Sequence, residues 1–175
     1  EHVVQGLLIS NMPQNAAAAL TALLQACRQQ SDVQCRKYMA NVIYCLAWDD
    51  QPAILDVLDQ ISDSVPAIQW LAWIPQLITS LCRSPPDMKE EYVERRVSRL
   101  SKIIFAVGKK YTQAVYLPMR TQYLTLKMEL KRTPPHSNSE LHSKILKSKM
   151  QRCSAIMGNL RDEFPPILTS VEEII

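Results

Sequence analysis

Three groups of side chains in this chain are of types that carry out chemistry: the adjacent carboxylates Asp49-Asp50, the pair His136-Ser137, and five cysteines at positions 27, 35, 45, 82 and 153. Paired carboxylates serve acid–base or metal chemistry when they converge in a cleft. Here they stand just before Gln51-Pro52, at the head of an apolar-periodic stretch, where negative groups favour the positive pole of a helix. They read as a helix start. A His-Ser pair needs an orienting acid, and none is near in sequence; this one lies in a polar, proline-rich run and reads as solvated loop. The cysteine count is odd, no two have CxxC spacing, and His2, His136 and His142 lie far from the first four cysteines. That pattern reads as reduced, buried thiols of an intracellular protein, not a zinc site or disulfide framework. There is no glycine-bounded nucleophilic serine and no HExxH. The three glycines, Gly6, Gly108 and Gly158, are isolated, which excludes a glycine-rich phosphate loop. No catalytic, cofactor-binding or metal-ligating residue is therefore expected, and neither is an enzyme.

The elements that would position such residues are helices. Apolar residues make up 47% of the 175, enough for a folded core. No alternating strand pattern of any length occurs. Val3, Val4, Leu7, Leu8 and Ile9 read as the tail of a preceding helix, broken at Asn11-Met12-Pro13. A helix follows over about 16–30, with Asn15 as its cap and a narrow alanine-rich face. Cys35, Tyr38, Met39, Val42, Ile43 and Leu46 mark the next, over 33–48. Ile54, Leu58 and Ile61 mark a shorter one from Pro52.

The stretch 66–83 carries Trp70, Trp73, Ile74, Leu77, Ile78 and Leu81 on one stripe, with Pro75 inside the pattern. An interior proline costs about 3 kcal/mol or more. A single kinked helix here must be packed on both sides, and it is expected to be central, with Trp73 filling a packed position. Ser84-Pro85-Pro86 stops it, and Asp87 with Glu90 resembles a capping box. Val93, Val97, Leu100, Ile104 and Val107 form the stripe of a helix over 88–107, closed by Gly108, with Glu91 and Arg95 placed as an i,i+4 pair.

The next helix, 112–131, has one stripe of Tyr116, Met119, Tyr123, Leu126 and Leu130 and a second of Leu117, Leu124 and Met128. Such a wide apolar surface predicts burial on two sides. The tyrosines and methionines fall at core spacing and not as a cofactor pocket. A polar loop over 132–138 separates segment 1–131 from 139–175. In the latter, Ser137 and Glu140 form a capping box, and Leu146, Met150, Cys153, Met157, Leu160 and Phe164 mark one long helix. Pro165-Pro166 breaks it, and a further helix begins at 167. The apolar start and the half-amphipathic end are those of a piece cut from a longer chain.

Residues 1–80 carry 3 basic and 7 acidic side chains, a net −4, whereas 81–175 carry 17 and 10, a net +7; together they make the +3 of the whole chain. Acidic residues interleave with basic ones in 90–99, which favours a paired helix surface over a nucleic-acid groove. No apolar run reaches the roughly 18–20 residues of a membrane span, and residues 1–10 lack a secretory signal. Neither a nucleic-acid, a membrane nor a small-molecule partner is expected. Trp73-Ile74-Pro75 and Tyr116-Leu117-Pro118 repeat one triplet 43 residues apart, with a weaker echo at Phe164-Pro165. Short connections make neighbouring helices antiparallel. The expected fold is all-α: stacked antiparallel helical hairpins, a HEAT- or tetratricopeptide-like α-solenoid. Such a surface suits protein partners.

The run Val65-Pro66-Ala67-Ile68-Gln69-Trp70-Leu71-Ala72-Trp73-Ile74-Pro75-Gln76-Leu77 resembles the FAT domain of the phosphatidylinositol-3-kinase-related kinases. The run from Gln113 to Lys127, with Tyr116-Leu117-Pro118-Met119-Arg120 at its centre, is similar to the narrower transformation/transcription domain-associated branch. So are Ala26-Cys27-Arg28, Arg36-Lys37-Tyr38, Trp48-Asp49-Asp50, Arg152-Cys153-Ser154 and Ile156-Met157. The resemblance covers about 16–131 and 150–170 and lapses in the 132–149 region. Tyr111-Thr112 stands where that branch usually has Tyr-Pro, and 84–99 is more charged than usual, which marks a divergent member.

The resemblance implies a segment of a FAT solenoid that packs on a catalytically silent kinase-like domain. It also implies a nuclear scaffold of SAGA-type and MYST-type histone acetyltransferase complexes, bound by other subunits and by transcription activators. An active kinase of the same superfamily, in which the segment regulates catalysis, and an unrelated HEAT-type adaptor are the alternatives the residues leave open.

Overall fold

Proline decides where the chain turns. In a computed structural model, which describes residues 13–29, 32–46, 52–83, 89–133 and 139–164, the tryptophan-bearing stretch is two helices, not one kinked helix. In chain order the helices are α1 (Pro13–Gln29), α2 (Asp32–Cys45), α3 (Pro52–Ile61), α4 (Ala67–Leu71), α5 (Ile74–Cys82), α6 (Glu90–Lys110), α7 (Thr112–Arg132) and α8 (Ser139–Glu163), with a 3₁₀ turn at Ser62–Ser64. No strand occurs among the described residues.

Pro75 has no N–H for the Leu71 carbonyl, so a continuous helix would lose that bond and crowd the preceding turn. The backbone instead tightens: the Trp73 N–H donates to the Trp70 carbonyl at 2.9 Å, and Trp73 adopts φ −112° and ψ 9°. A new helix then starts at Ile74. Pro75 sits in its first turn, where a missing N–H costs nothing. The split also separates the two tryptophans. Trp70 is buried at 2% exposure, whereas Trp73, expected to fill the packed position, is only partly buried at the edge of the core.

Other boundaries move for similar local reasons. Helix α1 starts at Pro13, so Asn15 lies within its first turn and not before it. Helix α6 starts at Glu90 with Lys89 in the N-cap position, two residues after Asp87. Gly108 does not close α6. The helix runs through it to Lys110, and Tyr111 alone (φ −135°, ψ 60°) joins α6 to α7. What Gly108 provides is room, because a Cβ there would stand 2.7 Å from Cδ2 of Leu160 on α8. The repeated triplet takes two different places: Pro75 opens α5, but Pro118 lies inside α7. The expected helices before Asn11 and after Pro165, the Asp49-Asp50 start, the Asp87 and Ser137 caps and the 134–138 part of the polar loop lie outside the described residues.

The helices stack as layers. Helix α1 packs on α2 and α3, and α4 packs on α2 and α6. Helix α6 is the hub, in contact with α3, α4, α5, α7 and α8; α8 closes the stack against α5, α6 and α7. One continuous apolar core runs through all of this, from Ala16, Leu20 and Leu24 through Leu58, Trp70 and Leu77 to Leu100, Ile104, Met119 and Leu160. The expected stripes of α3, α5 and α8 face it. On α7 only the first stripe does: Val115, Tyr116, Met119 and Leu126 are buried, while Leu117, Leu124 and Met128 are 38%, 41% and 53% exposed. Burial of α7 on two sides is therefore not what this structure shows. Its outer apolar stripe faces away from the stack because α6 and α8 both lie on the inner side.

The opposite charges of the two halves meet across one helix pair. Asp56 and Asp59 of α3 and Asp63 of the 3₁₀ turn face Arg95 and Arg99 of α6. Arg95 reaches Asp56 at 2.7 Å and Asp59 at 2.5 Å; Arg99 reaches Asp59 at 2.6 Å and Asp63 at 2.9 Å. Arg95 thus bonds across the layer and not to Glu91 along its own helix. Partial burial alone would push the Asp59 carboxyl up. Hydrogen bonds and positive charge from Arg95 and Arg99 outweigh it and hold the group below its ordinary value of 3.8.

Two predictions follow from this packing. Trp70→Ala is expected to cost about 3–5 kcal/mol in chemical denaturation, with a distinctly smaller loss for Trp73→Ala; equal losses would contradict the split at Ala72-Trp73. The depressed Asp59 carboxyl adds stability that is complete above the unfolded value of 3.8 and disappears as pH falls through the lower folded value. Urea midpoints measured from about pH 6 down to about pH 3 should therefore fall less steeply in Asp59→Asn than in the unaltered chain.

Candidate functional site

The most constrained polar structure is the C-terminal end of α5. A helix ends with carbonyls that lack partners and with the negative pole of its dipole. Here two arginines from other helices fill that role. Arg96 of α6, fully buried, donates Nη1 to the Arg83 carbonyl at 2.9 Å and Nη2 to the Ser80 carbonyl. Arg152 of α8 donates Nη1 to the Leu81 carbonyl at 2.9 Å and to the Arg83 carbonyl at 3.3 Å. The planar, forked guanidinium suits this better than an ammonium, because it reaches two carbonyls at once. Burial, reinforced by the like charge of Arg96, pushes the Arg152 guanidinium down from its ordinary value.

Arg96 escapes a reading based on charge alone, since it sits between Arg95 and Arg99, both of which face carboxylates. Its signal is periodicity. Positions 96, 100, 103 and 107 fall on one face, and Leu100, Ile103 and Val107 are buried. An arginine in that register must find hydrogen-bond acceptors for its donors in the interior.

The same helix end brings two cysteines together. Cys82, the last residue of α5, and Cys153 of α8 lie with their sulfurs 3.6 Å apart, both buried and unoxidised. Cys27 and Cys45 are buried apart from them, and burial pushes the Cys45 thiol up to about 12. The side chain of Cys35 lies outside the described residues. So do Asp49, Asp50, His136 and Ser137. His142 pairs with Glu129 at 3.3 Å, both about half exposed, and this links α8 to α7 without a nucleophile between them. Among the described residues no group of three or more His, Cys, Asp or Glu side chains is placed to hold a metal ion, and no helix is long and apolar enough to cross a membrane.

The surface around this helix end offers grooves. An open cavity of about 460 Å³ lies between α2, α5, α7 and α8, with Ile43, Leu46, Leu77 and Leu126 as its apolar wall and Cys82 and Lys149 at its side. Beyond it runs the exposed stripe of α7, with Leu141 of α8, 68% exposed, at the same end of the hairpin. Concave, largely apolar surface with scattered charges is suited to contact with other helices.

Known proteins place this arrangement in a lineage. The chain is 40% identical over 159 residues to the human transformation/transcription domain-associated protein, an alignment covering 90% of this chain and 4% of that protein. The zebrafish (Danio rerio) protein of the same name is 36% identical over 178 residues, covering 93% and 4%. A Saccharomyces cerevisiae protein, the SAGA complex/NuA4 acetyltransferase complex subunit TRA1, is 26% identical over 117 residues, covering 65% and 3%. The chain thus spans about 4% of the length of the first curated relatives it matches. No family model and no solved structure matches it. Similarity at this level through nearly the whole chain means that the chain belongs to the transformation/transcription domain-associated protein family.

Proposed function

We propose that this chain is a non-catalytic scaffold segment of a transcription coactivator, a subunit of histone acetyltransferase complexes of the SAGA and MYST types, working in the nucleus. The observation that carries this reading is the 40% identity to the human relative over 90% of the chain, joined to yeast relatives whose names specify acetyltransferase complexes. The geometry is in keeping with it. Arg96 and Arg152 cap a helix end and Arg99 joins two helices by ion pairs, while the groove and the outer stripe of α7 offer apolar surface to other helices. In this reading the stack is part of a FAT solenoid that lies against a kinase-like domain without phosphotransfer activity. It connects activators to acetylation through protein contacts alone.

The test uses the full-length protein purified from nuclear extract. Acetyltransferase subunits are expected in the eluate by mass spectrometry, with histone acetylation activity and no kinase activity attributable to the long chain. Kinase activity abolished by a substitution at a catalytic aspartate of the long chain would replace the scaffold with a regulatory segment of an active kinase. Neither activity would reduce the chain to a helical adaptor of another assembly.

A further inference from the structure

We propose that Cys82 and Cys153 form a reversible, peroxide-driven disulfide that staples the end of α5 to α8, with Cys82 as the thiol that reacts first and Cys153 as the one that resolves. The geometry is that of a pair poised for bonding. The sulfurs are in contact at 3.6 Å across two helices that already pack together, so closing to a disulfide bond of about 2.05 Å asks for side-chain rotation and a small shift of the helices. The two thiols differ in access. Cys153 is wholly buried, whereas Cys82 keeps 5% exposure and lines the open cavity between α2, α5, α7 and α8. A molecule as small as hydrogen peroxide reaches Cys82 through that opening.

They differ in electrostatics as well. The two thiols share a hydrogen bond, and Arg152, Lys149 and Arg96 stand around Cys82; against the opposing effect of burial these lower the Cys82 pKa below the ordinary thiol value. The same shared proton and burial push Cys153 up. Such cation-rich surroundings mark reactive thiols, while Cys45, pushed up to about 12 by burial, has the setting of an inert one.

The chemistry balances with peroxide as oxidant. The Cys82 thiolate attacks one peroxide oxygen; an S–O bond forms, the O–O bond breaks, and hydroxide leaves and is protonated to water. The product is a Cys82 sulfenic acid. The Cys153 sulfur then attacks the Cys82 sulfur; the S–S bond forms and the S–O bond breaks. The hydroxide that departs takes up the Cys153 proton as a second water. Each sulfur is oxidised by one electron, the two peroxide oxygens are reduced, and a dithiol reductant reverses the bond. The consequence is mechanical: α8 becomes covalently tied to the helix end that its own Arg152 caps.

The test treats the full-length protein with hydrogen peroxide, blocks free thiols with N-ethylmaleimide and maps the peptides. Expected are a Cys82–Cys153 linked peptide that dithiothreitol removes, and loss of free Cys82 at least about tenfold faster than loss of free Cys45. In Cys153→Ser, Cys82 should instead accumulate as a sulfenic acid captured by dimedone. Should Cys153→Ser fail to fold, the relative rates of Cys82 and Cys45 in the unaltered protein decide alone. Both thiols remaining free after peroxide, a link that forms only in denaturant, or equal rates at Cys82 and Cys45 would each overturn the proposal.

Discussion

Everything in the second half of the stack depends on how one helix end is satisfied. Helix α5 stops at the buried Cys82, and its last carbonyls need hydrogen-bond partners that the helix itself does not supply. Leaving such groups without partners costs about 1–3 kcal/mol each, more than an ordinary hydrogen bond returns. Two guanidiniums answer that need, one from α6 and one from α8. The three helices are held at one point by a polar requirement, and the apolar core then packs around it. Two positive charges side by side are an unusual choice. Both face the negative pole of the same helix.

The position of α5 follows in turn from Pro75. A chain that continued as one helix from 66 to 83 would carry both tryptophans on one stripe and would deliver its end elsewhere. The break at Ala72-Trp73 turns Trp70 into the core beside α6 and leaves Trp73 at the margin. It also lets α5 run between α6, α7 and α8. Gly108 does comparable work on the neighbouring hub, where the absence of a side chain allows Leu160 of α8 to come close. The ladder of Asp56, Asp59 and Asp63 against Arg95 and Arg99 fixes the other side of α6 to α3. The charge contrast between the two halves of the chain is partly spent inside the molecule, on that layer contact.

Such a construction suits a scaffold. Among the described residues, Arg95, Arg96, Arg99 and Arg152 are engaged in holding helices together, and the outer face of α7 carries an exposed apolar stripe. A stacked architecture of this kind transmits position from one layer to the next through contacts such as the arginine cap.

Much was determined by the sequence alone. Apolar spacing established that the chain is all-α and which faces of α3, α5, α6 and α8 are core, because a 3.6-residue period leaves little choice of face. The two proline-bearing motifs carried a resemblance to the family that the identity to the relatives then showed. What only the tertiary structure decided were the features that depend on a partner from elsewhere in the chain. Whether Pro75 kinks or restarts a helix rests on where α4 and α5 must pack. Whether Gly108 ends a helix or admits a neighbour rests on Leu160. Arg95 could have bonded to Glu91 by sequence spacing, and its true acceptors lie about three dozen residues away. The second stripe of α7 looked like core by periodicity, yet no described helix covers it. The contact of Cys82 with Cys153 was invisible for the same reason, and for Arg96 the spacing marks the buried register but not its acceptors. Local propensity specifies which face of a helix is apolar, but it carries no information on which helix end or sulfur, some seventy residues distant, will meet that face.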